Sequence, residues 1–222
     1  GKVFWPNPGK ELPNERIFLC GAATGQASPV NWKQQPREID FFDLKGVVEA
    51  LLDELNYTFR AVKASWPVFH PGKCARIEAG GIEVGRLGEL HPGIVQKYDL
   101  KQNVILFEID LSVLVSRPAP ETRYRKLSRF PYSERDIAVV IDEEIEAAAL
   151  IGAITEAGGD ILQRVELFDV YRGAQVEPGK KSLAFSLLFQ SAERTLTDEE
   201  LNAAVEGIMK VLENRFGARL RK

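Results

Sequence analysis

Alternating apolar and polar positions between residues 167 and 189 predict two strands that pair as an antiparallel hairpin. The segment between the strands, 172–181, contains Gly173, Pro178 and Gly179, which are typical turn residues. The apolar positions that repeat with a period of two in the second strand are Leu183, Phe185, Leu187 and Phe189. Since side chains alternate across a strand, these residues are predicted to face a core, and the small residues between them an open sheet face.

The same parity in the first strand places Asp169 and Tyr171 on the open face and buries Phe168 and Val170. Ser182 of the second strand falls on the open face as well. That face also receives the apolar side chains of Val165, Leu167 and Leu188, so a bulge or a partial cover is expected there. An acid, an aromatic ring and a hydroxyl are therefore predicted to share one sheet face.

Further strand and helix patterns surround this hairpin and complete a β-α-β-β-α-β order, which is the ferredoxin-like arrangement. The elements are a strand at 135–141, a helix through 147–154 that ends at Gly158-Gly159, the hairpin, a helix that begins with the capping box of Thr197 and Glu200 and ends at Gly217, and a strand at 218–221. Both helices are predicted to cover one sheet face, which leaves Ala138 on the open face.

The first half of the chain predicts an α+β domain with an antiparallel sheet. Apolar residues at helical spacing between Leu44 and Leu55 predict a helix that opens near Asp43 and closes at Asn56. Strands are predicted at 16–22, 57–64, 74–79, 82–87 and 104–109, with Gly80-Gly81 as a tight hairpin turn. Lys2 to Trp5 predict a strand already under way where the chain begins, and we expect a piece of a larger protein.

Prolines and basic residues between the halves predict a linker. We divide the chain into a first domain at 1–117, a linker at 118–130 and a second domain at 131–222. The basic residues of this stretch are Arg123, Arg125, Lys126 and Arg129.

The charge balance limits the classes of partner. The formal net charge is -3, whereas domains that coat nucleic acid without specificity are strongly basic. No apolar run has the length of a membrane helix, and the N-terminus carries no signal-peptide pattern. We expect a soluble cytoplasmic protein that binds neither membrane nor DNA, while a specific and locally basic RNA contact stays open.

The predicted open face suits an unpaired base. Tyr171 offers a ring on which a base stacks, and the carboxylate of Asp169 can accept both adjacent donors on the Watson–Crick edge of guanine. The candidates for phosphate contacts are Arg172, Lys180, Lys181 and Arg194. The alternative is that Tyr171 packs on a loop or another subunit and that Asp169 pairs with an arginine.

Several motifs resemble one family. RFPYSERDIAVVID, LFDVYRG, GKKSLAFSLLFQ, ERTLTDEE and GARLR, which lie in this order within 124–222, resemble the ferredoxin-fold anticodon-binding domain at the C-terminus of bacterial phenylalanyl-tRNA synthetase beta subunits. FFDLKG at 41–46 and GRLGELHP at 85–92 resemble the catalytic-like core domain of the same subunits, which implies a partial class II synthetase-like antiparallel sheet domain for the first half. The resemblance therefore covers essentially the whole chain.

The resemblance implies that the second domain binds the anticodon of tRNA-Phe. It implies that Tyr171 stacks on the first anticodon base, a guanine, that Asp169 and Ser182 contact the base edge, and that Ala138 leaves room for it. It also implies an assembly of two alpha and two beta subunits in which ATP and magnesium act at the alpha active site. We expect this chain to be a non-catalytic part of that ligase and to hold no cofactor or metal of its own.

Two details of the first half agree with a non-catalytic role. The glycine-rich motif of catalytic relatives ends in Glu-Arg, but here Leu90 follows Glu89. A dinucleotide loop is disfavoured because Gly81, Gly85 and Gly88 lie within and after a hairpin rather than between a strand and a helix. His70 and His91 each precede a proline and are expected to be loop residues.

Two other functions stay open at this point. The first is a scaffolding protein whose second domain contacts protein rather than RNA. The second is a small-molecule enzyme, which would need several titratable groups converging in one pocket. The sequence offers only Asp169 and Tyr171 for such a pocket.

Overall fold

The computed structural model describes residues 1–29, 31–33, 35–117, 121, 124, 127–173 and 175–221. The chain divides into two compact units, 1–123 and 124–222. Their boundary falls within the predicted linker. Three of the four basic residues noted there, Arg123, Arg125 and Lys126, lie outside the described residues.

The first unit is built on an antiparallel sheet of six strands within the described residues. The strands are β1 (Lys2–Trp5), β2 (Asn14–Thr24), β3 (Phe59–Lys63), β4 (Phe69–Ala79), β5 (Ile82–Leu90) and β6 (Val104–Asp110). Their order across the sheet is β1-β2-β6-β5-β4-β3. Gly80 and Gly81 both have positive φ and turn the chain between β4 and β5, as predicted.

Helix α1 (Phe41–Glu54) packs on this sheet and buries Leu44, Val48 and Leu52. It begins two residues before the predicted start because Asp40 and Asp43 form a reciprocal capping box at its first turn. Two short helices, α2 (Pro92–Lys97) and α3 (Leu111–Val115), were not predicted. Each has about one turn, which is too short to show helical periodicity in a sequence.

The second unit has the ferredoxin-like order that the sequence predicts. Its elements are β7 (Ser133–Asp142), α4 (Ala147–Gly158), β8 (Leu162–Tyr171), β9 (Lys180–Phe189), α5 (Asp198–Phe216) and β10 (Arg219–Leu220). The sheet order is β10-β7-β9-β8, with every neighbouring pair antiparallel. The class of fold, α+β with antiparallel sheets and a ferredoxin-like second unit, is confirmed.

The core of the second unit lies between the two helices and one face of the sheet. Phe185, Leu187 and Phe189 of β9 are fully buried there, together with Leu150 of α4 and Ile208 of α5. The predicted caps are also present: Thr197 and Glu200 form the capping box of α5, and Gly217 ends that helix in the left-handed region. The opposite sheet face, which we call the open face, is left without a covering helix by the described elements.

No helix among the described residues is both long and apolar enough to span a membrane.

Candidate nucleic-acid interface

Strand register brings the four predicted base-contacting residues together on the open face. Tyr171 of β8 pairs with Ser182 of β9, and Asp169 pairs with Ala184, which in turn pairs with Ala138 of β7. The two rows are two residues apart along the strands. Because neighbouring strands lie about 4.8 Å apart and residues about 3.3 Å apart along a strand, the four occupy a patch of about 10 Å by 7 Å.

A bulge in β8 creates this arrangement, and it makes part of the predicted parity wrong. Leu167 pairs with the core-facing Phe185, but the next pair is Asp169 with Ala184, so Phe168 is the extra residue. The exposed fraction of Phe168 is 56%, and it is not buried as predicted. Val165 and Leu167 pack against the core rather than on the open face. An extra residue reverses the parity after it, which is why Asp169 and Tyr171 still reach the open face.

Val170 was also predicted to be buried, and this prediction is only half right. It pairs with the core-facing Leu183, so its side of the sheet is the predicted one. Its exposed fraction is nevertheless 40%, because β8 is an edge strand and lacks a neighbour on one side.

The ring of Tyr171 rests against two parts of its own unit. The guanidinium carbon of Arg221 lies 4.6 Å from the ring centroid, which is a cation–π distance. Gly173 lies under the hydroxyl end of the ring, and a Cβ built at Gly173 would be 2.5 Å from the Tyr171 Oη. The absence of a side chain at residue 173 therefore allows the ring to adopt this position.

Asp169 and Ser182 offer different kinds of access. Asp169 is exposed and makes no ion pair with any residue that the structure describes, so its carboxylate oxygens can accept new hydrogen bonds. Ser182 is only 2% exposed and lies in the floor of the face between β7 and β8. Because neighbouring side chains already cover Ser182, a ligand contacts its hydroxyl only after those side chains move.

Two of the four candidate phosphate contacts lie at the same end of the hairpin as Tyr171. Arg172 is exposed and pairs with Glu143 at 3.0 Å, and Lys180 pairs with Asp142 at 3.2 Å. Exposed pairs of this kind are weak, so both cations can exchange a carboxylate for a phosphate.

The other two candidates lie elsewhere. Lys181 pairs with the buried Ile141, is 8% exposed, and donates its Nζ to the Glu143 carbonyl oxygen at 2.8 Å. It is on the core side of the sheet because its parity in β9 is that of Leu183. Arg194 follows the far end of β9 and binds both carboxylate oxygens of Glu200 in the capping box of α5.

The Arg194 contact has an electrostatic consequence for α5. Its hydrogen bonds, together with one from the Thr197 backbone, lower the pKa of Glu200 to about 2. Arg194 is thereby engaged in fixing the start of a helix. Since Ser182 and Phe189 are seven positions apart along β9, the end of the strand that leads to Arg194 is about 20 Å from Tyr171.

Residues of β10 belong to the open face but were not predicted there. Arg219 pairs with Val140, which pairs with Ser182, so it extends the row of Tyr171. Arg221 follows and donates its Nη2 to Gln175 Oε1 at 2.8 Å. The strand itself was predicted at 218–221, but its arginines were not assigned to the open face, although the alternation of Arg219, Leu220 and Arg221 was a signal for it.

The glycines and histidines of the first unit have local structural roles. A Cβ on Gly85 would lie 2.1 Å from the Glu108 carbonyl oxygen, and one on Gly88 would lie 2.7 Å from the Phe69 ring. Glu89 is buried and pairs with Lys73 at 2.7 Å. His70 lies in β4 and not in a loop as predicted, and His91 is the N-cap of α2. Each accepts a backbone N–H through Nδ1 at 3.1 Å.

The described residues contain no group of three or more His, Cys, Asp or Glu side chains able to hold a metal ion.

Comparison with known proteins matches both units. A family model described as phenylalanyl tRNA synthetase beta chain CLM domain matches residues 1–111, and one described as ferredoxin-fold anticodon binding domain matches residues 128–221. The phenylalanine–tRNA ligase beta subunit of Symbiobacterium thermophilum is 43% identical over 99% of this chain. Those of Moorella thermoacetica and Bacillus cereus are 43% and 42% identical over all of it.

The chain spans 25% to 28% of the length of these relatives. The two family models follow one another in the order of the two units, and together they account for nearly all of the chain. The chain therefore belongs to the phenylalanyl-tRNA synthetase beta-chain family, with a CLM domain followed by a ferredoxin-fold anticodon-binding domain.

Proposed function

We propose that the open face of the second unit binds the anticodon of tRNA-Phe and that an unpaired base stacks on Tyr171. The observation that carries this proposal is the patch of Tyr171, Asp169, Ser182 and Ala138. It combines an aromatic ring, small side chains and a carboxylate that forms no ion pair with the residues the structure describes. Single-stranded RNA is recognised by stacking of splayed bases on aromatic side chains together with hydrogen bonds to their edges.

Asp169 would select guanine among the four bases. Guanine presents an N1–H and an N2 amino group side by side, and one carboxylate accepts both. Adenine presents an acceptor at the corresponding N1, which the carboxylate repels. Ala184 and Ala138 lie beside Asp169 in the same row and leave room for the base above the sheet.

Cations near Tyr171 would meet the phosphates of the same RNA segment. Arg172 and Lys180 are the two predicted candidates at this end of the sheet, and Arg219 adds a third. Each phosphate contact contributes to affinity without reading the base, and it makes binding salt-dependent.

The proposal is tested with two anticodon stem-loops that differ only in guanine or adenine at the first anticodon position. Equilibrium binding to the 222-residue chain is measured at low and moderate salt. Direct readout predicts a preference for guanine of about 1 to 3 kcal/mol that disappears in Asp169→Ala. Equal binding of both stem-loops with a steep salt dependence would indicate phosphate contacts alone and would contradict base recognition.

We propose for the first unit a structural role beside the catalytic alpha subunit, in a heterotetramer of two alpha and two beta chains. ATP and magnesium would act on the alpha chain, and we assign no catalytic step to the residues described here. Exposed apolar side chains support a protein-contacting role, because Trp5, Phe42 and Val47 are 40%, 73% and 56% exposed.

Mutations can distinguish RNA binding by the second unit from binding of the alpha subunit by the first unit. Tyr171→Ala is expected to weaken binding of the stem-loop and to leave binding of the alpha subunit unchanged, since the open face belongs to the second unit. Phe42→Ser is expected to weaken binding of the alpha subunit and to leave binding of the stem-loop unchanged. Loss of alpha binding in Tyr171→Ala would instead favour a scaffolding second unit.

A further inference from the structure

A cavity of about 480 Å³ opens on the same sheet face, beside the proposed stacking residue. It lies between β7, β10 and the hairpin tip. Its lining includes Val140, Leu220, Arg219, Arg221, Gln175 and Lys180. All of these residues belong to the second unit, and none of them was among the predicted base contacts.

The cavity adjoins the proposed base site through a shared side chain. Arg221 lines the cavity and also lies 4.6 Å from the centroid of the Tyr171 ring. Val140 is two strands from Tyr171 in the same row, with Ser182 between them. Strand spacing puts the cavity about 5 to 10 Å from the base site, which is a separation of neighbouring nucleotides in one strand rather than of two distant ligands.

The charges of the cavity suit a nucleotide. Arg219 is exposed, and its guanidinium makes no hydrogen bond or ion pair within the described part of the chain. Three cationic side chains, Arg219, Arg221 and Lys180, line the cavity, against one carboxylate, that of Glu177. An excess of cations at an exposed cavity attracts a phosphate group.

The remaining lining suits a base. Val140 and Leu220 contribute apolar surface, and Gln175 contributes an amide that both donates and accepts hydrogen bonds. The Gln175 Oε1 already accepts from Arg221 at 2.8 Å, which holds the Arg221 guanidinium between the cavity and the Tyr171 ring. A planar guanidinium in that position can stack on a base on the cavity side.

We propose that this cavity is a second nucleotide subsite, which takes the base of the nucleotide next to the one stacked on Tyr171. The Arg221 side chain lies between the two bases, and Arg219 binds the phosphate of the second nucleotide. The inference rests on the proposed function, because it needs a first base on Tyr171 to set the position of the second.

The first arm of the test removes the second base and nothing else. Stem-loops carry an abasic nucleotide on the 5′ or on the 3′ side of the first anticodon position, and their binding to the 222-residue chain is compared with that of the intact stem-loop. Loss of one stacked base is expected to weaken binding about 5- to 100-fold for one of the two abasic positions. In Arg221→Ala the loss of affinity caused by the abasic nucleotide is expected to be smaller, because the guanidinium on which the second base stacks is absent.

The second arm removes the phosphate contact. Arg219→Gln is expected to lower the magnitude of the slope of log K against log salt by about 0.7, the value for one phosphate contact on a single strand. Arg164→Gln is the matched control, because Arg164 is an exposed arginine of the same unit near the other end of β8. The control is expected to keep the slope of the unmodified chain.

The results separate the second subsite from the first. If Tyr171→Ala weakens stem-loop binding but neither abasic nucleotide does, the second subsite is overturned and the proposed anticodon binding stays in place. An abasic penalty that persists unchanged in Arg221→Ala would also overturn it, because the second base would then bind elsewhere. No effect of Tyr171→Ala, with Arg219→Gln still lowering the salt slope, would contradict both the base site and the subsite that depends on it.

Discussion

The two sheets of the chain use charged residues differently. In the sheet of the first unit, charges on neighbouring strands neutralise each other, as in the pairs Arg86 with Glu108 at 2.6 Å and Lys73 with Glu89 at 2.7 Å. On the open face of the second unit, Lys180 and Asp142 form a pair of this kind, but Asp169 and Arg219 have no ion-pair partner among the residues that the structure describes. Unpaired charges on a small-residue face are available to a ligand, whereas paired charges mainly fix strand register.

Glycines show the same contrast. Gly85 and Gly88 make room for the backbone and side chains of adjacent strands, so their role ends within the first unit. Gly173 makes room for the ring of Tyr171, which belongs to the proposed binding face. The functional importance of a glycine therefore depends on which atoms occupy the space that a side chain would fill.

The largest effect is expected for Gly85→Ala. Its new Cβ would lie 2.1 Å from the Glu108 carbonyl oxygen in the middle of the sheet, and the strands must separate to accept it. We expect the free energy of unfolding to fall by about 2 to 3 kcal/mol in urea denaturation. Gly46→Ala, on the open side of α1, is the control and should gain about 0.5 to 1 kcal/mol. Equal stabilities of the two variants would contradict a packing role for Gly85.

Tyr171→Ala is expected to have the next largest effect, and on RNA binding rather than on folding. Loss of one stack should weaken binding of the stem-loop by about 1 to 3 kcal/mol, as measured by titration. Tyr132→Ala is the matched control, since Tyr132 is 60% exposed just before β7 and lies outside the proposed patch. If both variants lost the same affinity for the stem-loop, Tyr171 would have no specific role in stacking.

Gly173→Ala is expected to have a smaller effect of the same kind. The added methyl group would overlap the Tyr171 Oη, so the ring must rotate away from its position over residue 173. A rotamer change of this size costs about 1 kcal/mol, which should appear as weaker stem-loop binding in the same titration. Gly207→Ala on α5, where the added Cβ meets no other atom, should leave binding unchanged.

The smallest effect concerns the start of α5 in acid. The pKa of Glu200 is lowered to about 2 by Arg194, so its contribution to stability is fully present above the ordinary carboxyl pKa of 4.5 and is lost as pH falls towards 2. The urea midpoint of the unmodified chain should fall more between pH 6 and pH 2.5 than that of Glu200→Gln. Arg194→Gln should leave RNA binding unchanged, in keeping with the distance of Arg194 from Tyr171.

The sequence allowed prediction of the long elements because their patterns are strong. The strand at Ile137, Val139 and Ile141, the capping box of Thr197 and the stop at Gly217 each involve contacts within a few residues. The ferredoxin-like order followed from the succession of these elements. Short helices such as α2 lay below the length at which periodicity becomes visible.

The sequence predicted the open-face patch only in part, because its geometry depends on contacts between distant residues. The apolar Val165 and Leu167 led us to expect a bulge or a partial cover, but the position of the bulge at Phe168 depends on pairing with β9 and is not visible in β8 alone. The place of Arg221 over Tyr171 requires β10 to lie beside β7, and Arg221 and Tyr171 are 50 residues apart in the sequence. Lys181 was placed with Lys180 because the two are adjacent, although adjacent strand residues face opposite sides.

A thermodynamic cycle on Asp169 and the first anticodon base tests the central claim most directly. Binding is measured for the unmodified chain and for Asp169→Asn, each with guanine or with inosine, which lacks the N2 amino group, at the first position. A carboxylate that accepts from both N1–H and N2–H predicts a coupling energy of about 1 to 2 kcal/mol between the two changes. A coupling of zero, with all four affinities governed by salt, would contradict base recognition by this face.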